Sequence, residues 1–410
     1  MTMTNKDKAR LRALAGQTCE IAHGEKMAET VRLWKAHNAC RGERPMIRIE
    51  LDTFADEIIP PLQQCEGEGA RKLEWKLLHQ IVNPTMFGDD SIVSGFFPVR
   101  TAAYFTAFGI DVKVEHADKS LGHSFVPVIS DLEEDFGKIG KSAFGIDKER
   151  TKAEFDFASD AIGDILPVKM TGGTLSASLT QDIVHIMSME NIYIAMMECP
   201  ELFGKMIMGL ADDYVEFFSY LSREGALLPT AGGEMVGQGT YCYTDELPGE
   251  APAEGVLKPG DLWGYADSQE TVGVSGSTYR ELVFPAYKKV VSSYGLLSYG
   301  CCEPVHSIWD DCLSTLPNLR KVSISAWCDE SFMGERLAGT KVIYHRKPAA
   351  NYLGLGTALD ESATRKHIRK TLDSAKGCTV EFTQRDVYTV NSSPEKVKRF
   401  VEIIHEEIMR

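Results

Sequence analysis

The sequence is short of every feature that would place it at once. Its ten cysteines contain no Cys-x-x-Cys pair, so regular zinc and redox motifs are excluded. They are scattered without a disulfide framework, and free thiols in a reducing cytoplasm are the expectation. No run of about 18 apolar residues occurs, so no membrane-crossing helix is predicted. The amino-terminal MTMTNKDKARLRAL is charged and lacks an apolar core, so no signal peptide is expected. Basic residues are outnumbered, with Lys+Arg 44 against Asp+Glu 59 and a net charge of −15. That argues against a general binder of nucleic acid or anionic membranes. Gly 35 and Pro 17 are near average, which excludes collagen-like and linker-like chains. There is no internal repeat and no low-complexity segment.

What is present is an ordinary globular balance, 43% hydrophobic and 25% charged over 410 residues. The carboxyl-terminal half alternates short apolar runs with helical patterns. GLLSYGCCEP (295–304), VSISAWCDE (322–330), KVIYHRKP (341–348) and CTVEFTQRD (378–386) read as strands. The stretches 305–313, 331–337, 360–374 and 393–409 read as the helices between and after them. In the last of these, Val397, Phe400, Val401, Ile404 and Ile408 share one face. Four such units in a row require parallel strands with right-handed crossovers. Earlier candidates at 45–52, 166–173, 226–233 and 261–269 bring the strands to eight, the number of a (β/α)8 TIM barrel. Residues 1–43 are predicted as an N-terminal helical extension, 44–410 as the barrel, and 88–145 as an insertion with extra strands. The Gly- and Pro-rich stretch 238–260 is predicted as a loop over one face, shielding the site from water.

In a parallel barrel the chemistry sits at the carboxyl ends of the strands. There the sequence places Glu50 and Asp52; Thr171; Glu234; Asp267, Gln269 and Glu270; Cys301, Cys302 and Glu303; Cys328 and Asp329; Arg346 and Lys347; and Arg385 and Asp386. Polar residues also gather at such ends as helix caps, and Ser392 or Ser393 before Pro394 is read as one. YGCCEPVH is the sharpest segment. Strand alternation predicts that only one of Cys301 and Cys302 faces the mouth unless the strand has already turned. Cys301, Cys302, Glu303 and His306, in the first turn of the next helix, are candidate metal ligands; small buried thiols and a surface histidine are the plain alternative. Asp267 and Glu270 are candidates for cation binding or acid–base work, or for capping the next helix. The TGG (171–173) and AGG (231–233) turns match neither a dinucleotide nor a P-loop motif and read as tight turns. The methionines between 187 and 208 read as core filler.

Several stretches together resemble the uroporphyrinogen decarboxylase superfamily, which includes cobalamin-dependent methyltransferases. They are DLWGYADSQETVGVSGSTYRELVFPAYKKVV, LLSYGCCEP, KVSIS, the KP of HRKPAANYLG, and VNSSPEKVKRFVEII. The resemblance covers about 160–410 and implies a TIM barrel with an N-terminal helical extension. The decarboxylase's arginine-rich RQAGR-like segment is absent, since the first strand reads RPMIRIELD. Against the zinc methyltransferases, Cys301 falls on a ligand cysteine, Tyr299 stands where their histidine would be, and Asp386 falls near their last-strand cysteine. The YGCCEP motif marks a divergent branch.

The resemblance implies a methyltransferase that moves a methyl group between a small methylated O, N or S substrate and a corrinoid carried by a partner protein. Zinc would assist at the mouth, held by Cys301 with Cys302, Glu303 or His306. Asp267, Glu270, Tyr299 and Asp386 are the candidate catalytic residues. The alternative is a decarboxylase-like lyase acting on a small carboxylated substrate, with Asp267 or Asp386 holding substrate N–H groups or passing protons. A third class, a binding barrel without catalysis, fits a thiol- and carboxylate-rich mouth least well. Cys301 is the predicted ligand of the cysteine pair.

Overall fold

The computed structural model describes residues 3–116 and 123–410. Its centre is a seven-stranded, all-parallel sheet. The strands are β1 (Met46–Ile49), β2 (Leu175–Ala177), β3 (Trp263–Ala266), β4 (Leu296–Tyr299), β5 (Leu319–Ile324), β6 (Ile343–Arg346) and β7 (Val380–Gln384). Strands β2 to β7 pair in chain order, and β7 returns to pair with β1, Met46 opposite Glu381. This is the order of a barrel with one seam. Among the described residues no hydrogen-bonded pair joins β1 to β2, so the ring predicted with eight strands is not closed. Every residue of β1 and of β3 to β7 is buried, as parallel strands covered on both faces require.

The seam has two causes. The predicted strand 166–173 breaks at Gly172 and Gly173. Its first part, Val168–Thr171, leaves the main sheet to pair with Phe97–Arg100, and the chain re-enters at β2. The predicted strand 226–233 forms no strand; Pro229 lacks the amide a ladder needs, and residues 231–233 turn. Within the predicted insertion the structure has short strands at Phe97–Arg100, Ala103–Thr106, Lys113–His116, His123–Val126 and Ala143–Ile146. Residues 117–122 of that insertion lie outside the described residues.

The helical layer follows the apolar patterns. In Pro394–Ile408, Val397, Phe400, Val401 and Ile404 are fully buried, and Ser393 caps the helix by accepting from Lys396 N. Met187, Met196 and Met206 are core as predicted, whereas Met197 is 83% exposed.

Of the two amino-terminal helices, Asn5–Ala22 and Glu25–Asn38, the second is tied to the sheet. At the end of the second, His37 Nε2 meets Glu381 Oε2 at 3.0 Å, and Asn38 Nδ2 donates to the carbonyls of Tyr241 and Tyr243. Glu381 also pairs with Lys321 at 2.9 Å, all three charged or polar side chains being fully buried. They sit toward the amino ends of β5 and β7.

The stretch 238–260 lies elsewhere than predicted. A hairpin, Met235–Val236 with Thr240–Tyr241, is threaded among the strands, where Lys321 Nζ donates to Thr240 Oγ1 and Arg48 to the Gly239 carbonyl. A Cβ on Gly237 would come within 2.2 Å of the Tyr265 ring, so only glycine fits there. Beyond the hairpin, Glu246 pairs with Arg320 and Leu247 packs beside Trp263 and Leu296, all near the amino ends of their strands. The loop therefore seals the end opposite the mouth. Only the hairpin turn, at Gln238, approaches the mouth from within.

Candidate functional site

The carboxyl ends of β1, β3, β4, β6 and β7 bring together Glu50, Asp267, Cys301–Glu303, Lys347 and Arg385–Asp386. The turn after β4 sets the geometry. Gly300 has φ +99°, a conformation that favours glycine, and its N–H still bonds to the Ala266 carbonyl at 2.9 Å. The strand has ended there, so alternation no longer governs the next two side chains. Both thiols fall on one side, Cys301 Sγ 3.7 Å from Cys302 Sγ. The exception allowed for the pair, a strand that has already turned, is the case found at Gly300.

Cys302 Sγ lies 4.0 Å from Asp386 Oδ2, and Arg385 Nη1 lies 4.0 Å from Cys301 Sγ. Arg385 is held between Glu50 (Nε to Oε2, 3.4 Å) and Asp386 (Nη2 to Oδ1, 3.1 Å). Asp386 has φ +56°, the left-handed region, which turns the chain as β7 ends. The hydrogen bond between the two thiols pushes Cys301 up and pulls Cys302 down. Lys347 and Arg385 add to the pull on Cys302, against burial and the Asp386 charge. Cys301 is the donor within the pair, and Cys302 is the more acidic of the two thiols.

Lys347 is 4% exposed. Its Nζ donates to Gln238 Oε1 at 3.1 Å and to the Gly300 carbonyl at 3.2 Å. Burial pulls its ammonium down to about 8, against the charge of the neighbouring thiols. Asp267 Oδ2 accepts from the Tyr265 hydroxyl at 2.7 Å, and that hydroxyl accepts from Gln238 Nε2 at 2.7 Å. Asp267 Oδ1 is buried without a partner. Gln238 and Tyr265 were not singled out from the sequence. Tyr265 was within reach, since it lies two residues before Asp267 and shares its face of the strand. Gln238 was not, because its loop was assigned to the surface.

Glu303 is fully engaged in the backbone. Its Oε2 accepts from Cys301 N at 2.7 Å and its Oε1 from Ser268 N at 2.9 Å, which ties the β3 and β4 loops together. Burial, with the Asp267 charge, pushes its carboxyl up to about 7 despite these two amides. His306 is turned elsewhere: its Nδ1 accepts from Asp329 N at 3.2 Å and its ring meets Phe332. The predicted set Cys301, Cys302, Glu303 and His306 is thus not assembled around a metal position. No group of three His, Cys, Asp or Glu side chains among the described residues is arranged to hold a metal ion.

Two candidate catalytic residues stand apart from the thiols. Tyr299 faces the helical layer, its hydroxyl 2.7 Å from both Ser268 Oγ and Tyr279 Oη. Glu270 Oε2 accepts from Thr180 Oγ1 at 2.7 Å, and burial raises its carboxyl. The residues gathered at the mouth are therefore Asp267, Asp386, Cys301 and Cys302, with Glu50, Lys347 and Arg385.

No family model matches the chain, and no curated protein matches it. Among solved structures it is similar to a methyltransferase from Methanosarcina mazei. The TM-score is 0.50 and the identity 12%, over 92% of this chain and 97% of that one. It is also similar to a B12-independent methionine synthase from Shewanella sp. W3-18-1 in complex with selenomethionine. There the TM-score is 0.29 and the identity 11%, over 75% and 77% of the two chains. The first likeness is one of fold; the second is too distant to carry an argument.

Proposed function

We propose that the chain is a methyltransferase that moves a methyl group between a small methylated O, N or S compound, bound at the mouth, and a corrinoid protein docked over it. The observation that carries this reading is the thiol pair itself, Cys301 donating to Cys302 at 3.7 Å with Arg385 Nη1 4.0 Å from Cys301 Sγ and Lys347 bonded to the Gly300 carbonyl. A heteroatom that loses its methyl group needs a proton or a positive charge beside it. Cys301 supplies the proton, and Lys347 and Arg385 stabilise the negative charge left on the pair. Asp386 and Glu50 hold Arg385 in place. The fold it shares with the Methanosarcina mazei methyltransferase supports the same reading. If zinc assists, Cys301 and Cys302 are the candidate ligands left to hold it, because Glu303 and His306 bond elsewhere.

A second reading, decarboxylation of a small carboxylated substrate, is favoured by one feature, the buried Asp267 Oδ1, which has no partner among the described residues. One experiment separates the two. The protein is incubated without oxygen with cob(I)alamin and, in turn, methylamines, methanol, methoxybenzoate and dimethyl sulfide, and methylcobalamin is followed by absorbance. Formation with one class, lost in Cys301→Ser, is the expected result. No methylcobalamin with any class overturns the proposal. Elemental analysis of the same sample checks the role of the thiols: about one zinc per chain would make them ligands instead.

A further inference from the structure

The turn that carries the two thiols is held on either side of Cys302 but not at Cys302 itself. Cys301 N donates to Glu303 Oε2 at 2.7 Å, and the Cys301 carbonyl accepts from Ser323 Oγ at 2.7 Å. One residue further on, the Glu303 carboxylate also takes Ser268 N, and the Glu303 carbonyl accepts from Val305 N at 3.0 Å. The amide and carbonyl of Cys302 bond to no other group among the described residues. Cys302 can therefore adjust its backbone and side chain without breaking a backbone hydrogen bond of its own, while its neighbours stay in place. Its sulfur is already 3.7 Å from Cys301 Sγ, on the same side of the chain, and a disulfide brings two sulfurs to about 2 Å. Cys302 is partly exposed, whereas Cys301 is 7% exposed.

We infer that Cys301 and Cys302 are a site of reversible oxidation, closing to a vicinal disulfide when hydrogen peroxide enters the mouth. Cys302, the more accessible sulfur, reacts first. It attacks one peroxide oxygen, the O–O bond breaks, and the thiol proton leaves with the other oxygen as water. The sulfenic acid that results lies against Cys301. The Cys301 sulfur then attacks the Cys302 sulfur. The S–S bond forms, the S–O bond breaks, and the departing hydroxide takes the Cys301 proton as a second water. The pair gives up two electrons and the peroxide takes them. Arg385 Nη1, 4.0 Å from Cys301 Sγ, places a positive charge beside the departing hydroxide.

A disulfide has no thiol proton to give, so the oxidised mouth cannot protonate a leaving group. Only this consequence for turnover rests on the methyl-transfer reading; the disulfide rests on the turn.

The test uses the full chain, reduced, freed of reductant and treated with a few equivalents of hydrogen peroxide. Remaining thiols are alkylated after denaturation, and the tryptic peptide 290–320, which also carries Cys312, is read by mass spectrometry with fragmentation. The expected product is two hydrogens lighter between Cys301 and Cys302, with Cys312 alkylated, and dithiothreitol should return all its thiols. In Cys301→Ala the sulfenic acid has no thiol beside it, so dimedone should label Cys302. If Cys301→Ala does not fold, the wild-type peptide decides. Sulfinic acid at Cys302 in the wild type, a disulfide from either residue to another cysteine, or both thiols still alkylated after the peroxide overturns the inference. Methylcobalamin formation should be lost on oxidation and return with dithiothreitol, and turnover that survives complete oxidation overturns the switch. A disulfide in a protein whose reduced form makes no methylcobalamin defeats the methyl-transfer reading alone.

Discussion

Cys301 Sγ and Cys302 Sγ are adjacent in sequence yet lie 3.7 Å apart on the same side of the chain. One residue before the pair, Gly300 has already turned the strand, and Cys301 donates to Cys302 beside Lys347 and Arg385.

The pairing predicts an asymmetric response to iodoacetamide. Cys302 should be alkylated first, and its rate should begin to rise at lower pH than that of an ordinary thiol. In Cys301→Ala the strongest influence lowering Cys302 is removed, so its alkylation profile should move to higher pH. Peptide mass spectrometry of samples labelled across a pH series reads both. Preferential labelling of Cys301 in the wild type would reverse the assignment of donor and acceptor.

Glu303 sets a pH dependence of stability with a defined sign. Its folded carboxyl sits near 7, above the ordinary 4.5, so between those values the native chain binds more protons than the unfolded one. This group therefore stabilises the fold as pH falls from about 7 toward 4.5, and its contribution is lost as pH rises through 7. In Glu303→Gln that increment should vanish, while the loss of one backbone acceptor costs about 1–3 kcal/mol at every pH. Urea denaturation of both proteins at pH 5 and pH 8 gives the difference; the same pH slope in both would remove Glu303 as its source.

Gly237→Ala should unseat the hairpin. A methyl group 2.2 Å from the Tyr265 ring cannot be absorbed without moving one of them. Overpacking of this kind costs about 1–3 kcal/mol, and because Gln238 is the next residue the contact with Lys347 should loosen too. A lowered melting temperature together with faster exchange of the amides at 235–241 is the expected pair of results. An unchanged melting temperature would mean that the hairpin does not lie against β3.

Lys321→Met removes one side of a fully buried ion pair and leaves Glu381 with its two histidine neighbours, His37 and His345. Breaking such a pair costs about 3–5 kcal/mol. The double variant Lys321→Met with Glu381→Leu should recover part of that loss, and chemical denaturation of the two variants measures the coupling.

The strands from 261 onward could be read from sequence because each is an unbroken buried run bounded by turn residues; β3, β4, β6 and β7 fall inside their predicted ranges, while β5 starts three residues earlier than predicted and ends at Ile324. Fully buried strands leave that signature whatever encloses them. The strands at 166–173 and 226–233 were misplaced for the opposite reason: both contain apolar residues, but a Gly-Gly break in one and a proline in the other decide where the ladder goes. At the site, Asp267, Asp386 and the two cysteines were legible as strand-end residues. The direction of the second thiol was not, because it depends on the φ of Gly300. Neither was the role of Glu303, whose chemistry suggested a ligand and whose surroundings make it a clamp between two loops.

The bond between His37 and Glu381 joins residues 344 positions apart. The helix that carries His37 is synthesised 344 residues before its buried partner. Its docking waits for the last strand, and so does the sealing of the amino end of the barrel. Contacts of such long range slow folding and lengthen the exposure of apolar surface on the growing chain. The order of synthesis therefore leaves helix Glu25–Asn38 without this partner until residue 381 has been made, and a chain cut short before it leaves the amino end of the sheet unsealed.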